Sequence, residues 1–164
     1  MSIADAVARA TEYLTAHPDE ARYRDSAATA RITAGLVARV EGPGGETVMT
    51  DMPAGIGGTA SAPSPGWLMR AAAASCVASL IAIRAASIGI EHGPIEVTVD
   101  SESDDRGILG LDDAIAAGAL TMKIAVAVDG VAGSSLDDLL DWAVRHCPVT
   151  DTIGRPVPIE VERR

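Results

Sequence analysis

Two residues of this chain have side chains that do chemistry of their own: Cys76 and Cys147 are its only cysteines. A thiolate is a strong nucleophile, and two thiols can pass reversibly through a sulfenic acid to a disulfide. Two cysteines are too few for a disulfide scaffold, and their wide separation has no metal-ligand spacing, so they are either inert or redox-active. Steps of three, four and seven from Cys76 reach Met69, Ala72, Ala73, Leu80 and Ile83, all apolar, which places the thiol on the buried stripe of a helix. A small core residue is one reading, because free cysteine is among the most buried residue types. Burial also raises a thiol's pKa, so the reactive reading needs a cation nearby. Arg39, Arg70 and Arg84 are the candidates. Arg70 lies about 240° around the helix from Cys76 and points away from it within one chain.

Cys147 stands between His146 and Pro148, just past a helix whose negative end disfavours a thiolate. An ordinary turn cysteine competes here with a redox partner. His146 is either a proton carrier or a favourable charge at the helix end. Other motifs lead nowhere. The acidic run Asp100 to Gly107 lacks the glycine and glutamate positions of a calcium loop, and no Lys-Ser/Thr pair follows Gly55, Gly57 and Gly58 to make a phosphate loop. His17, His92 and His146 have no ligand spacing and are expected to face solvent. No cofactor and no metal is expected.

The elements that must position the thiols follow from periodicity. Ile3, Val7, Ala10 and Leu14 predict a helix over Ile3 to Ala16, stopping before Pro18. A polar connection runs to Ala28. Alternation from Thr29 to Glu41, a turn at Gly42 to Gly45 and an extended stretch from Thr47 to Asp51 read as a hairpin. Met52 to Ser64 is a loop by its Gly and Pro content. Pro65 opens an alanine-rich helix to about Ser87, roughly 35 Å long, which must cross the core. Strands follow at Ile95 to Ser101 and Leu120 to Val128, then a helix capped by Ser134, the Cys147-Pro148 turn and a last strand, Val157 to Val161. The expected organisation is an N-terminal helix and connection, residues 1–28, before one α+β domain, residues 29–164.

Composition bounds the function. Asp and Glu outnumber Lys and Arg by 23 to 13, a net charge of -10, which repels nucleic acid and anionic lipid. No unbroken apolar window of about 18 residues and no signal-peptide order is read in the sequence, so a cytoplasmic protein without a membrane partner is expected. Phe is absent, and the core must come from Ala, Val, Ile and Leu.

The stretches Thr50-Asp-Met-Pro-Ala-Gly-Ile-Gly-Gly-Thr59, Pro63-Ser-Pro-Gly-Trp-Leu-Met-Arg-Ala-Ala-Ala-Ala-Ser-Cys76 and His146-Cys-Pro-Val149 together resemble the OsmC/Ohr family of thiol peroxidases and their relatives. Order and spacing agree over roughly Thr29 to Glu162. The resemblance implies an antiparallel sheet wrapped around a long central cysteine-bearing helix, in an intertwined homodimer with sites at the subunit interface. It implies that Cys76 attacks an organic hydroperoxide, that Cys147 captures the resulting sulfenic acid, that Arg39 is the activating arginine, and that a thiol reductant recycles the pair. The chain departs from the peroxidase pattern after Pro65, where Gly66 and Trp67 replace the glutamate that usually holds the arginine. The alternative within the same family is a non-peroxidase that binds an apolar or electrophilic small molecule at the dimer cleft, and a purely structural domain is a third class.

Overall fold

Ser2 and Asp5 start the first helix by capping each other: the Asp5 N–H donates to Ser2 Oγ and the Ser2 N–H to the Asp5 carboxylate, both at 3.1 Å. This helix, α1 (Ile3–Ala16), has the predicted bounds and buries none of its residues. The computed structural model describes residues 1–163, which divide into two compact units: Arg9–Met69, and Met1–Ala8 with the chain from Arg70 onward.

In the unit Arg9–Met69 the predicted hairpin is a three-stranded antiparallel meander, β1 (Thr29–Ala34), β2 (Val37–Glu41) and β3 (Thr47–Thr50). The expected first strand is broken at Gly35, whose φ of +55° suits a turn that a side chain would strain. Arg31 consequently faces Arg39 across the β1–β2 pair, and Arg39 faces Met49 across β2–β3. Met52 to Ser64 is a loop, as expected, with one short 3-10 turn at Ala54–Ile56.

The long helix α2 (Pro65–Ile88) carries Cys76. Its buried residues, Ala73, Val77, Ile81 and Ala85, recur every fourth position, so one narrow stripe faces the core of the second unit. Cys76 therefore sits at the margin of that stripe, and Ala72, expected to be buried, is exposed. By length and composition α2 would also suffice to cross a membrane. In this unit it lays the Val77, Ile81 and Ala85 stripe on the core, and its two arginines are bound to neighbours, Arg70 to Ser101 and Arg84 to Trp142.

The strands β4 (Ile95–Glu102) and β5 (Thr121–Val128) pair antiparallel from Ile95↔Val128 to Glu102↔Thr121. Alternate residues Ile95, Val97, Ile124, Val126 and Val128 turn toward the core. A one-turn helix, α3 (Asp105–Ile108), interrupts the acidic connection, with Asp104 as its cap. Arg106 beside it holds the Asp104 carboxyl down to about 2. Two further helices follow, α4 (Ser134–His146) and α5 (Pro148–Gly154). Ser134 does not cap α4; Gly133 occupies the cap position and no side chain bonds there. The expected last strand, Val157 to Val161, is not a strand among the described residues: Ile159 and Val161 stand 87% and 90% exposed, with no ladder to join. The core of this unit is Val77, Ile81, Ala85, Val128, Leu139, Ala143 and Cys147. The architecture is α+β with antiparallel pairing, in a separate sheet in each unit.

Candidate functional site

The helical break at Pro148 creates the site. Proline cannot continue α4 but is preorganised for a helix's first position, so the chain ends one helix and starts another around a single residue. That residue is Cys147, at once the C-cap of α4 and the N-cap of α5. Its side chain is fully buried, and Sγ accepts a hydrogen bond from the Thr150 N–H at 3.4 Å. The Thr150 hydroxyl fixes the same junction, donating toward the Val144 carbonyl at 2.7 Å and the Cys147 carbonyl at 3.1 Å. The sequence reading saw only the negative end of α4. The positive first turn of α5 was legible as Cys-Pro followed by a helix-compatible stretch, a cap-and-proline start.

Cys76 is half-buried and packs against the same cluster. The two thiols lie close enough for each to shift the other, Cys76 upward and Cys147 downward. Burial pushes the Cys76 thiol up, and the hydrogen bond to Cys147 pushes it the same way, against a smaller opposing effect of the Val149 N–H. Burial works against a Cys147 thiolate too. There, hydrogen bonds from Thr150, Cys76 and Val149 together outweigh it, and the Cys147 thiol lies below its ordinary value.

None of the three candidate arginines contributes to the Cys76 shift. Arg70 donates to Ser101 Oγ at 3.1 Å, and the Arg84 guanidinium lies 5.3 Å from the centre of the Trp142 ring. Trp142 in turn stacks on His146, ring centres 4.3 Å apart, while His146 Nδ1 bonds the Trp142 carbonyl at 2.7 Å. His146 is thus held by its own helix and faces solvent, as expected for all three histidines. Arg39 belongs to the other unit, where its Nε donates to Glu41 at 3.0 Å and Arg31 bonds the second Glu41 oxygen at 3.3 Å.

Sequence reasoning missed Asp51. This carboxylate is buried and accepts from the N–H groups of Met52, Thr59 and Ser61 and from both the Thr59 and Ser61 hydroxyls. The Thr59 hydroxyl most of all, then Ser61 and Met52, hold its carboxyl far below the usual range against the effect of burial. The signal was present: an aspartate ending a strand, then a Gly-rich loop bearing Thr and Ser.

A family model for OsmC-like proteins matches residues 58–162, a stretch that holds both cysteines. No curated protein matches the chain in sequence. Among solved structures, an OsmC-like protein from Mycoplasma pneumoniae aligns with a TM-score of 0.69 at 12% identity, covering 81% of this chain and 89% of that one. An organic hydroperoxide resistance protein from Elizabethkingia anophelis gives 0.65 at 22%, covering 79% and 88%. The organic hydroperoxide resistance protein OsmC from Legionella pneumophila gives 0.59 at 22%, covering 80% and 90%. At these identities the likeness is one of fold. Family model, fold and the order of the two cysteine motifs agree, and the chain belongs to the OsmC-like family.

Proposed function

We propose that the protein reduces organic hydroperoxides with Cys76 and Cys147, working as a homodimer in the cytoplasm. The observation that supports this is the thiol pair itself: a half-buried Cys76 packed against the cluster that holds the buried Cys147, whose Sγ accepts from the Thr150 N–H. The Cys76 thiolate attacks the terminal peroxide oxygen, the O–O bond breaks, and the alcohol leaves with a proton. The sulfenic acid left on Cys76 is attacked by the Cys147 thiolate, releasing water and closing a disulfide. Two thiols and one hydroperoxide become one disulfide, one alcohol and one water. A reducing compartment suits resting thiols of this kind.

The raised Cys76 thiol puts the burden of activation on a cation. We assign that role to Arg39, with Glu41 taking the place of the family's usual helix-start glutamate as its carboxylate partner. The dimer is supported by α2, whose most apolar window is only 22% buried within one chain. Ser75 and Ser79 on its exposed side return their hydroxyls to their own helix backbone, at 3.1 and 2.9 Å, leaving a face of small residues for a second helix. The same raised thiol favours the second reading, a non-peroxidase in which Cys76 lines a site for a small apolar molecule. Intact mass before and after one equivalent of cumene hydroperoxide decides between them. Prompt loss of two hydrogens, abolished by Cys76→Ser and by Cys147→Ser, is the expected result; two free thiols after many minutes refute the peroxidase.

A further inference from the structure

The two sulfurs of the pair are not equivalent to anything arriving from solvent. Cys147 is fully buried between α4 and α5, whereas Cys76 keeps an exposed portion on the margin of the α2 stripe. Nor are they equivalent as leaving groups. A sulfur released at Cys147 falls onto the Thr150 N–H, which already bonds it at 3.4 Å. Thiol–disulfide exchange is fastest when the attacked sulfur is accessible and the departing thiolate is stabilised.

We infer that the Cys76–Cys147 disulfide opens in one direction only, an external thiol attacking the Cys76 sulfur and Cys147 departing toward the Thr150 N–H that already bonds its sulfur. This rests on the two-cysteine reading above. In the first step the thiolate RS⁻ forms an RS–S bond to Cys76, the Cys76–Cys147 bond breaks, and its electron pair leaves on Cys147. In the second step another RS⁻ attacks the R-side sulfur, forming RSSR and releasing Cys76 as a thiolate that takes a proton from water. Two thiols of the reductant are oxidised and the protein disulfide is reduced. Thr150 acts as a positioning residue: its hydroxyl clamps the Val144 and Cys147 carbonyls and so aims its own N–H at the sulfur.

The experiment closes the disulfide in the full chain by two independent oxidants, diamide and cumene hydroperoxide. It then adds excess 2-mercaptoethanol, quenches in acid at successive times, blocks free thiols with N-ethylmaleimide and maps the adducts by mass. The expected result places the mercaptoethanol adduct on Cys76 and the blocking group on Cys147, by at least tenfold. In parallel, Cys147→Ser is expected to react with Ellman's disulfide at least tenfold faster than Cys76→Ser. Thr150→Val, which frees the two carbonyls, is expected to slow reduction of the protein disulfide and to move its pH profile, and Thr150→Ser to restore both. An adduct on Cys147, or equal labelling of the two, overturns the inference while leaving the peroxidase reading intact. If diamide closes the bond and the hydroperoxide does not, the peroxidase reading falls alone and the direction is read from the diamide product. If neither oxidant closes it, both fall.

Discussion

Leu139→Ala tests whether the packing beneath the thiol pair is what keeps Cys147 buried. Leu139 is fully buried on α4 and belongs to the same cluster as Val77, Ile81 and Cys147. Truncation removes three carbons, worth about 2.4 kcal/mol of transfer free energy at about 0.8 per methylene. The unfilled cavity brings the expected loss to roughly 3–4 kcal/mol, inside the range of about 2–5 found for such truncations. For a chain of this size each kcal/mol moves the midpoint by about 2–4 °C, so Tm should fall by roughly 6–16 °C. The assay is thermal and urea unfolding followed by circular dichroism, with thiols kept reduced and protein concentration fixed, since self-association shifts apparent stability. Iodoacetamide labelling of the folded protein is read alongside, and Cys147 should lose its protection relative to Cys76. A Tm shift below about 2 °C would refute the packing argument. So would a large shift that leaves Cys147 as protected as before, because it would show that burial of the sulfur does not depend on this cluster.

The other expectations concern activity, acid stability and assembly. Arg39→Met should lower hydroperoxide consumption by about 10²-fold or more, the usual cost of removing a group that stabilises developing charge, and unchanged single-turnover rates would remove Arg39 from the site. For Asp51 the folded pKa is depressed below 3.8, so its contribution is complete above that value and lost as pH falls through the lower folded one. The stability gap between wild type and Asp51→Asn should therefore be constant from neutral pH to about 5 and shrink below about 4; a gap that widens in acid would contradict the hydrogen-bond geometry. Ile159→Ala and Val161→Ala, at positions almost fully exposed within one chain, should lower Tm in a concentration-dependent way if the dimer covers them. Silent substitutions at every concentration would place this segment outside the interface.

The bounds of α2 were legible from Pro65 and an alanine-rich run free of Gly and Pro, and those of β4 and β5 from strict alternation such as Ile95, Val97 and Val99; α1 was legible from Ile3, Val7, Ala10 and Leu14 although it buries none of its residues. The β1–β2 break was not, since Leu36 continued the apolar alternation and Gly35 alone marked the turn. The last strand failed for a different reason: Val157, Ile159 and Val161 have the alternation of a strand, but a strand exists only where a neighbour supplies a ladder. At the site, both cysteines were readable from motif and spacing, whereas the second capping role of Cys147, at the start of α5, went unread although Pro148 signalled it. The partners of Arg70 and Arg84 were not readable, because they come from β4 and α4, far along the chain.

The loop that precedes α2 inverts the usual expectation about which positions tolerate change. Loops ordinarily accept substitution freely, yet this one is pinned from inside by the Asp51 carboxylate, and the pinning has stored consequences along it. Ala60 is held at a φ of +53°, a conformation that costs an ordinary residue on the order of 1 kcal/mol or more, while its N–H bonds the Met52 carbonyl at 3.2 Å. At Gly58 any side chain would begin against that same carbonyl. Variation in this stretch is thus sorted by backbone rather than by surface: an exposed position such as Gly55 is open to drift, Ala60 would gain from glycine, and Gly58 admits nothing else. A random library across the loop, selected only for folding, should reproduce that ranking, and it would do so whatever small molecule the thiols meet.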